Sequence, residues 1–294
     1  MPFWKASIEM RSITARVKRD YVDGRFGQVH YWATTDSSSH PTLYCLHATA
    51  YSGQTFLPLF HPLGGQRRVV ALDTPGYGSS DGPPAEIDFA TYAKAIAEAI
   101  VATMPPGATS VDILGYHTGA LLATEIAALY PDLVRRLILI GIPFFAGAAK
   151  AAWREKLVHV TELTELLGQF QDRWEYFINQ RTPGLTLDRA FDCFVDELRA
   201  YPRDWWAHAA LFDYDPGPRL PLVRAPALII NPAGALATFS RAAAALIPGA
   251  MVVELPHVGG APFDLATQQL ATEIGHFLDV SDSILLNARK NDAG

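Results

Sequence analysis

With 294 residues, 49% hydrophobic and 18% charged, the chain has the composition of a packed globular protein built on one large domain. Its net charge of −6, with no cluster of lysine and arginine carrying interleaved aromatics, argues against nucleic acid or an anionic membrane as a partner. There is no apolar run of about 18 residues, and MPFWKASIEMRSITARVKRD lacks the apolar stretch of a signal peptide, so a cytoplasmic protein is expected.

In chain order, residues 13–35 alternate apolar and polar side chains around the turn signals Asp23-Gly24 and Phe26-Gly27, which predicts an antiparallel hairpin. Ser37-Ser38-Ser39 marks a loop. Residues 41–49, PTLYCLHAT, form a short apolar run of the kind a strand buried on both faces needs. A second such run opens RRVVALDTPGYGSSDG (67–82) and passes into a Gly-, Pro- and Ser-rich loop. Residues 87–104 have apolar side chains at helical spacing. SVDILGYHTG is a third buried strand, ALLATEIAALYPDLV the helix after it, and RRLILIGIP (135–143) a fourth strand. Strand and helix in alternation imply a parallel sheet covered on both faces.

From 144 to about 220 there is no strand pattern, only helical stretches such as AAKAAWREKLVHVTELTELLGQF and LDRAFDCFVDELRAY. The strand rhythm returns at PALIIN (226–231), followed by helix ATFSRAAAALI, strand AMVVELP (250–256) and helix LATQQLATEIGHFLDV. The expected organisation is therefore a core of residues 1–143 and 221–294, with an inserted helical lid at 144–220. The lid carries 14 of the chain's 32 aromatic residues, enough for its own small core and for one wall of an apolar pocket against the sheet. Residues 1–12 and 281–294 are expected to be loosely held ends. Cys45 and Cys193 lack metal-ligand or CxxC spacing and are expected to be buried thiols.

Four segments carry a resemblance over nearly the whole chain: Leu46-His47-Ala48-Thr49, the run Asp73 to Ser80 (DTPGYGSS), Gly115-Tyr116-His117-Thr118-Gly119, and ELP…GHFLD (254–279). Together they resemble the α/β-hydrolase fold with an inserted helical cap. That resemblance implies a mostly parallel central sheet flanked by helices. It also implies a sharp strand-to-helix turn that lifts one side chain above the sheet at a helix N-terminus. Gly78-Ser79-Ser80-Asp81-Gly82 also fits G-x-S-x-G, but it lies inside a polar loop with no helix opening on it.

Measured against that family, the three side chains of its catalytic triad are replaced. The nucleophile position holds His117, the acid position falls at about Ala235 in an Asn231–Leu236 loop without a carboxylate, and the histidine position falls at Gly260. What the resemblance leaves is backbone: the N–H groups of Thr49 and Thr118 as an oxyanion hole. A helix N-terminus disfavours imidazolium, so His117 is expected to be a neutral base or nucleophile. His257, three residues before Gly260, and Asp213 in the lid are candidate replacements for the lost partners. Residues expected to line the ligand pocket are His47, Ala48, Tyr116, Phe144, Trp205, Trp206 and His257.

The expected activity is turnover of a small, largely apolar carbonyl compound by hydrolysis or lyase-type cleavage. A non-catalytic binder of such a ligand is the alternative. A metal held by His117, His47 and a third ligand has no supporting spacing, and a dinucleotide domain lacks its GxGxxG. No cofactor or metal is expected. The expected partner is a small-molecule ligand, and a homodimer is compatible with the chain.

Overall fold

The structure is a computed structural model, which describes residues 16–35, 39–160, 162–165 and 167–281. Residues 1–12 and 282–294 of the ends expected to be loose, residues 13–15 of the predicted hairpin and Ser37-Ser38 lie outside the described residues. An eight-stranded sheet is formed by β1 (Val17–Gly24), β2 (Gly27–Thr34), β3 (Leu43–Leu46), β4 (Val69–Leu72), β5 (Val111–Tyr116), β6 (Val134–Ile140), β7 (Ala227–Pro232) and β8 (Met251–Leu255), in the order β1-β2-β4-β3-β5-β6-β7-β8. β1–β2 and β2–β4 pair antiparallel; every pairing from β4 to β8 is parallel.

The apolar runs occupy the middle of this sheet. Every residue of β3, β4 and β5 is buried, because helices cover both faces there. β8, at the edge, alternates between more and less exposed positions, and β1 at the other edge is mostly exposed. One face is packed by α2 (Phe89–Thr103) and α3 (Thr118–Leu129), the other by α1 (Leu57–Gly64) and α10 (Thr267–Asp279). α2 starts where Asp88 accepts a 2.6 Å hydrogen bond from the Thr91 N–H, a cap worth about 1 kcal/mol. Under the sheet, Arg135 grips the fully buried Asp112 through two bonds of 2.9 and 2.6 Å.

Between β6 and β7 the chain makes a helical excursion: α4 (Gly147–Leu157), α5 (Gln171–Trp174) running into a π-helical turn (Glu175–Asn179), α6 (Leu187–Ala200) and α7 (Trp206–Asp213). Phe177, Ile178, Ala190 and Phe194 give it a small core of its own. The predicted helix through residue 170 stops instead at Leu157. Val160 and Leu163 are 74% and 71% exposed, so no apolar face there rewards helix formation. After β7 the fold closes with α8 (Ala237–Ala244), β8, α9 (Pro262–Leu265) and α10. Cys45 is buried as expected, but Cys193 on α6 is only half-buried.

Candidate active site

The turn from β5 into α3 is set by close backbone approach. A Cβ at Gly119 would overlap the carbonyl oxygens of Leu46 and His47, and one at Gly115 would overlap the backbone of Gly119 and Ala120. Only glycine lets strand and helix meet this closely. Between them His117 has φ 50° and ψ −114°, a conformation that costs a non-glycine residue of order 1–3 kcal/mol. The turn is pinned by hydrogen bonds from the His117 N–H to the Ile140 carbonyl (3.0 Å) and from the Ala120 N–H to the His117 carbonyl (2.8 Å).

The imidazole needs its own room. Gly141, just beyond β6, has φ +64°, and a Cβ there would stand 2.7 Å from His117 Cδ2 and 2.9 Å from Nε2. The ring thus lies against the Gly141 backbone, while its other side meets Tyr116 at 3.9 Å between ring centres. Among the described residues no carboxylate or other side chain hydrogen-bonds its nitrogens. Burial, and secondarily His208, lowers the His117 pKa to about 4, so the ring is neutral at pH 7.

Above His117 is a cavity of about 740 Å³, bounded by loops at the carboxyl ends of the parallel strands and by the helical excursion. This is where ligands sit in open α/β sheets. Ala48, Thr49, Tyr116, His117, Thr118 and Trp205 line it. Four other expected lining residues do not.

His47 is buried behind the loop. Its Nε2 accepts from the Thr74 N–H at 2.9 Å and its Nδ1 donates to the Ala48 carbonyl at 2.8 Å, so both nitrogens are spent on holding the turn. Phe144 faces the core, and its neighbour Phe145 takes the cavity position, stacked on Trp153 and Phe212 at 5.2 and 5.7 Å. Trp206 turns away beneath the Arg203 guanidinium, 5.6 Å from its ring centre. Trp205, His208, Leu211 and Phe212 share the cavity-facing side of α7, and Trp206 is rotated about 100° from Trp205. His257 is exposed, 3.2 Å from the Gln269 side chain.

Neither Asp213 nor His257, the residues expected as partners of His117, reaches it. Asp213 is exposed and paired with Arg154 at 2.6 Å, and His257 is outside the cavity. Gly260 does line the cavity, but a Cβ there would come within 2.5 Å of Thr182 Oγ1, so a larger side chain would displace the helical excursion. Asn231, at the end of β7, donates to Glu254 at 2.8 Å and to the Ala237 carbonyl at 3.2 Å. Among the described residues no three His, Cys, Asp or Glu side chains are grouped to hold a metal ion.

The Asp73 loop is structural. Its carboxylate accepts from the N–H groups of Gly53 (2.7 Å) and Ser79 (2.8 Å) and lies 2.8 Å from His30 Nδ1. Ser80 donates to the Asp73 carbonyl and accepts from the His30 N–H, so it is bracing and not a nucleophile.

Three features of the cavity were not assigned from the sequence. Gly141 makes space for the elbow histidine, and its only sequence trace is a glycine directly after a buried strand. His208 lines the cavity and is held near pKa 4 by burial; its spacing of three from Trp205 on one helix was the available signal. At the far end Arg173 bridges Glu197 (3.2 Å) and Asp204 (2.6 Å). Arg173 lies 24 and 31 residues from these two carboxylates, and only the fold unites them.

The family described as alpha/beta hydrolase fold matches residues 41–183. A solved hydrolase from Pseudomonas aeruginosa PA01 superposes with a TM-score of 0.74 at 20% identity, covering 89% of this chain and 98% of that one. The chain has the α/β-hydrolase fold. A pimeloyl-[acyl-carrier protein] methyl ester esterase of Aliivibrio salmonicida is 32% identical over 139 residues, which span 47% of this chain and 49% of that relative, about half its length. The protein of the same name from Stenotrophomonas maltophilia is 27% identical over 267 residues, 81% of this chain and 93% of that one. No helix among the described residues is long and apolar enough to cross a membrane.

Proposed function

We propose that this chain is an enzyme acting on a small, largely apolar carbonyl compound, by ester, lactone or C–C bond hydrolysis or by lyase-type cleavage. His117 is its general base or nucleophile, the backbone N–H groups of Thr49 and Thr118 form the oxyanion hole, and the helical segment 144–220 is the cap over the site. One observation carries this reading: a neutral imidazole occupies the strained tip of the elbow, and Gly141 makes room for its ring. Strained residues of this kind cluster at active sites and ligand clamps.

As a base, His117 takes a proton from water or from carbon next to a carbonyl, whose developing negative charge the two N–H groups face. As a nucleophile it forms an acyl-imidazole that water clears. The relatives named as methyl ester esterases agree with carbonyl chemistry. No organic cofactor enters either route. A non-catalytic binder of the same ligand is the second reading. It is favoured by the absence, among the described residues, of a carboxylate orienting His117.

A panel of esters, lactones, thioesters and β-diketones assayed with wild type, His117→Ala, and wild type plus chelator separates these readings. Activity lost only in His117→Ala supports the proposal, and equal rates in all three overturn it. Tight binding without turnover identifies the binder, and loss on chelation identifies a metal.

A further inference from the structure

Two tyrosines reach the cavity from different strand ends. Tyr51 follows β3; its N–H donates to the Ala48 carbonyl at 2.8 Å, and its ring meets Phe177 edge-on at 6.1 Å. Tyr116 ends β5 with its ring against His117 and edge-on to Phe263 at 4.9 Å. Both line the cavity. Among the described residues neither hydroxyl has a hydrogen-bond partner. Yet neither hydroxyl is sealed away from the molecular surface. The two hydroxyls therefore open on the cavity.

A buried tyrosine ordinarily finds a partner for its O–H, and leaving one unmade is costly. Here the partner has to be a ligand or water. Burial raises the pKa of both phenols, with further contributions from Cys193 and from neighbouring tyrosines, so they remain protonated donors at any working pH. The base beside them is also neutral. Neutral donors around a neutral base suit an oxygen that becomes negative during the reaction. The backbone N–H groups at Thr49 and Thr118 serve one such oxygen; the phenols are a second set for another.

We propose that Tyr51 and Tyr116 form a donor pair for the oxygen of an enolate, and that the ligand is a 1,3-dicarbonyl compound bound through both oxygens. This rests on His117 as proton acceptor. His117 takes the proton from the carbon between the carbonyls, and the C–H electron pair becomes the enolate shared by the two oxygens. No oxidant or reductant is needed. A simple ester offers one carbonyl oxygen and a C–H too weakly acidic for an imidazole that burial has made a weaker base.

Benzoylacetone is the probe, because its enolate absorbs differently from its neutral enol. Its ionisation is followed against pH with excess wild type, Tyr51→Phe, Tyr116→Phe and His117→Ala. Wild type is expected to bind the enolate at least tenfold more tightly than the neutral enol, giving enolate absorbance below the pH at which free ligand ionises. Each tyrosine variant, isosteric and so expected to fold, should weaken enolate binding by roughly tenfold, the scale of one hydrogen bond to a charged group. His117→Ala should keep the preference, because it removes the base and leaves the donors. Unchanged enolate preference in both tyrosine variants overturns the donor pair. So does a preference lost only in His117→Ala, an outcome that leaves His117 itself as the working group. Failure of benzoylacetone to bind wild type overturns the ligand class.

Discussion

At the end of β5, Gly115 and Gly119 let backbone pass against backbone, and the gap holds His117 in a conformation few residues accept. At the end of β8, Gly260 also leaves no room for a Cβ, but its neighbour is the hydroxyl of Thr182, a side chain on the helical excursion. One end is a sharp strand-to-helix turn with a histidine at its tip. The other lacks a side chain, and the excursion packs into the space. The two ends thus differ in what makes glycine necessary: fixed backbone at one, a neighbouring side chain at the other.

The contrast can be broken most severely at the glycines. Gly119→Ala sets a methyl into backbone that cannot move, and should cost roughly 3–5 kcal/mol or prevent folding, as read by urea unfolding. Gly260→Ala meets a side chain that can rotate, and should cost only about 1 kcal/mol in the same assay. Equal costs would erase the distinction between the two ends.

Next in size is the effect on rate. His117→Ala should lower kcat/KM about 10²–10⁴-fold, the usual worth of a positioned acid–base group. His257→Ala, exposed and outside the cavity, should stay within about twofold and ±0.5 kcal/mol. Gly141→Ala lies between: its methyl pushes the His117 ring aside, so kcat should fall, while the backbone strain at φ +64° costs about 1 kcal/mol.

Stability should also depend on acidity. His117 and His208 titrate at about 4 when folded, against an ordinary value of 6.5, so between those pH values the unfolded chain holds more protons. Their contribution is complete above pH 6.5 and is lost as pH falls through 4. Asp196, raised to about 6 from 3.8 chiefly by burial, acts in the opposite sense: its contribution is complete below 3.8 and lost as pH rises through 6. The urea midpoint should therefore fall from pH 7 to pH 4.5, and Asp196→Asn should steepen that fall.

Much of the scaffold was legible because the sheet imposes local patterns. Fully buried strands read as apolar runs, the helices between them at 3.6-residue spacing, and the elbow as two glycines in strand-to-helix context. That His117, the loop after β7 and Gly260 meet at one cavity was legible from their places after successive strands. What the sequence did not disclose is rotation and long-range assembly. Phe144 and Phe145, or Trp205 and Trp206, are adjacent and chemically alike, and only the angle of the chain decides which faces the cavity. His47 reads as a site residue until Thr74, 27 positions away, is seen to occupy its second nitrogen. Val160 and Leu163 sit in helical-looking sequence but stand exposed, with no apolar face to bury.

The central claim is that His117 is the reacting group. For whichever carbonyl compound of the panel is turned over, the pH dependence of kcat/KM for wild type and His117→Ala tests it most directly, since that profile reports the free enzyme's essential groups. The account predicts a wild-type profile that falls as pH drops through about 4, with no limb near the ordinary histidine value of 6.5, and loss of activity in the variant. A variant with the wild-type rate and profile would contradict it.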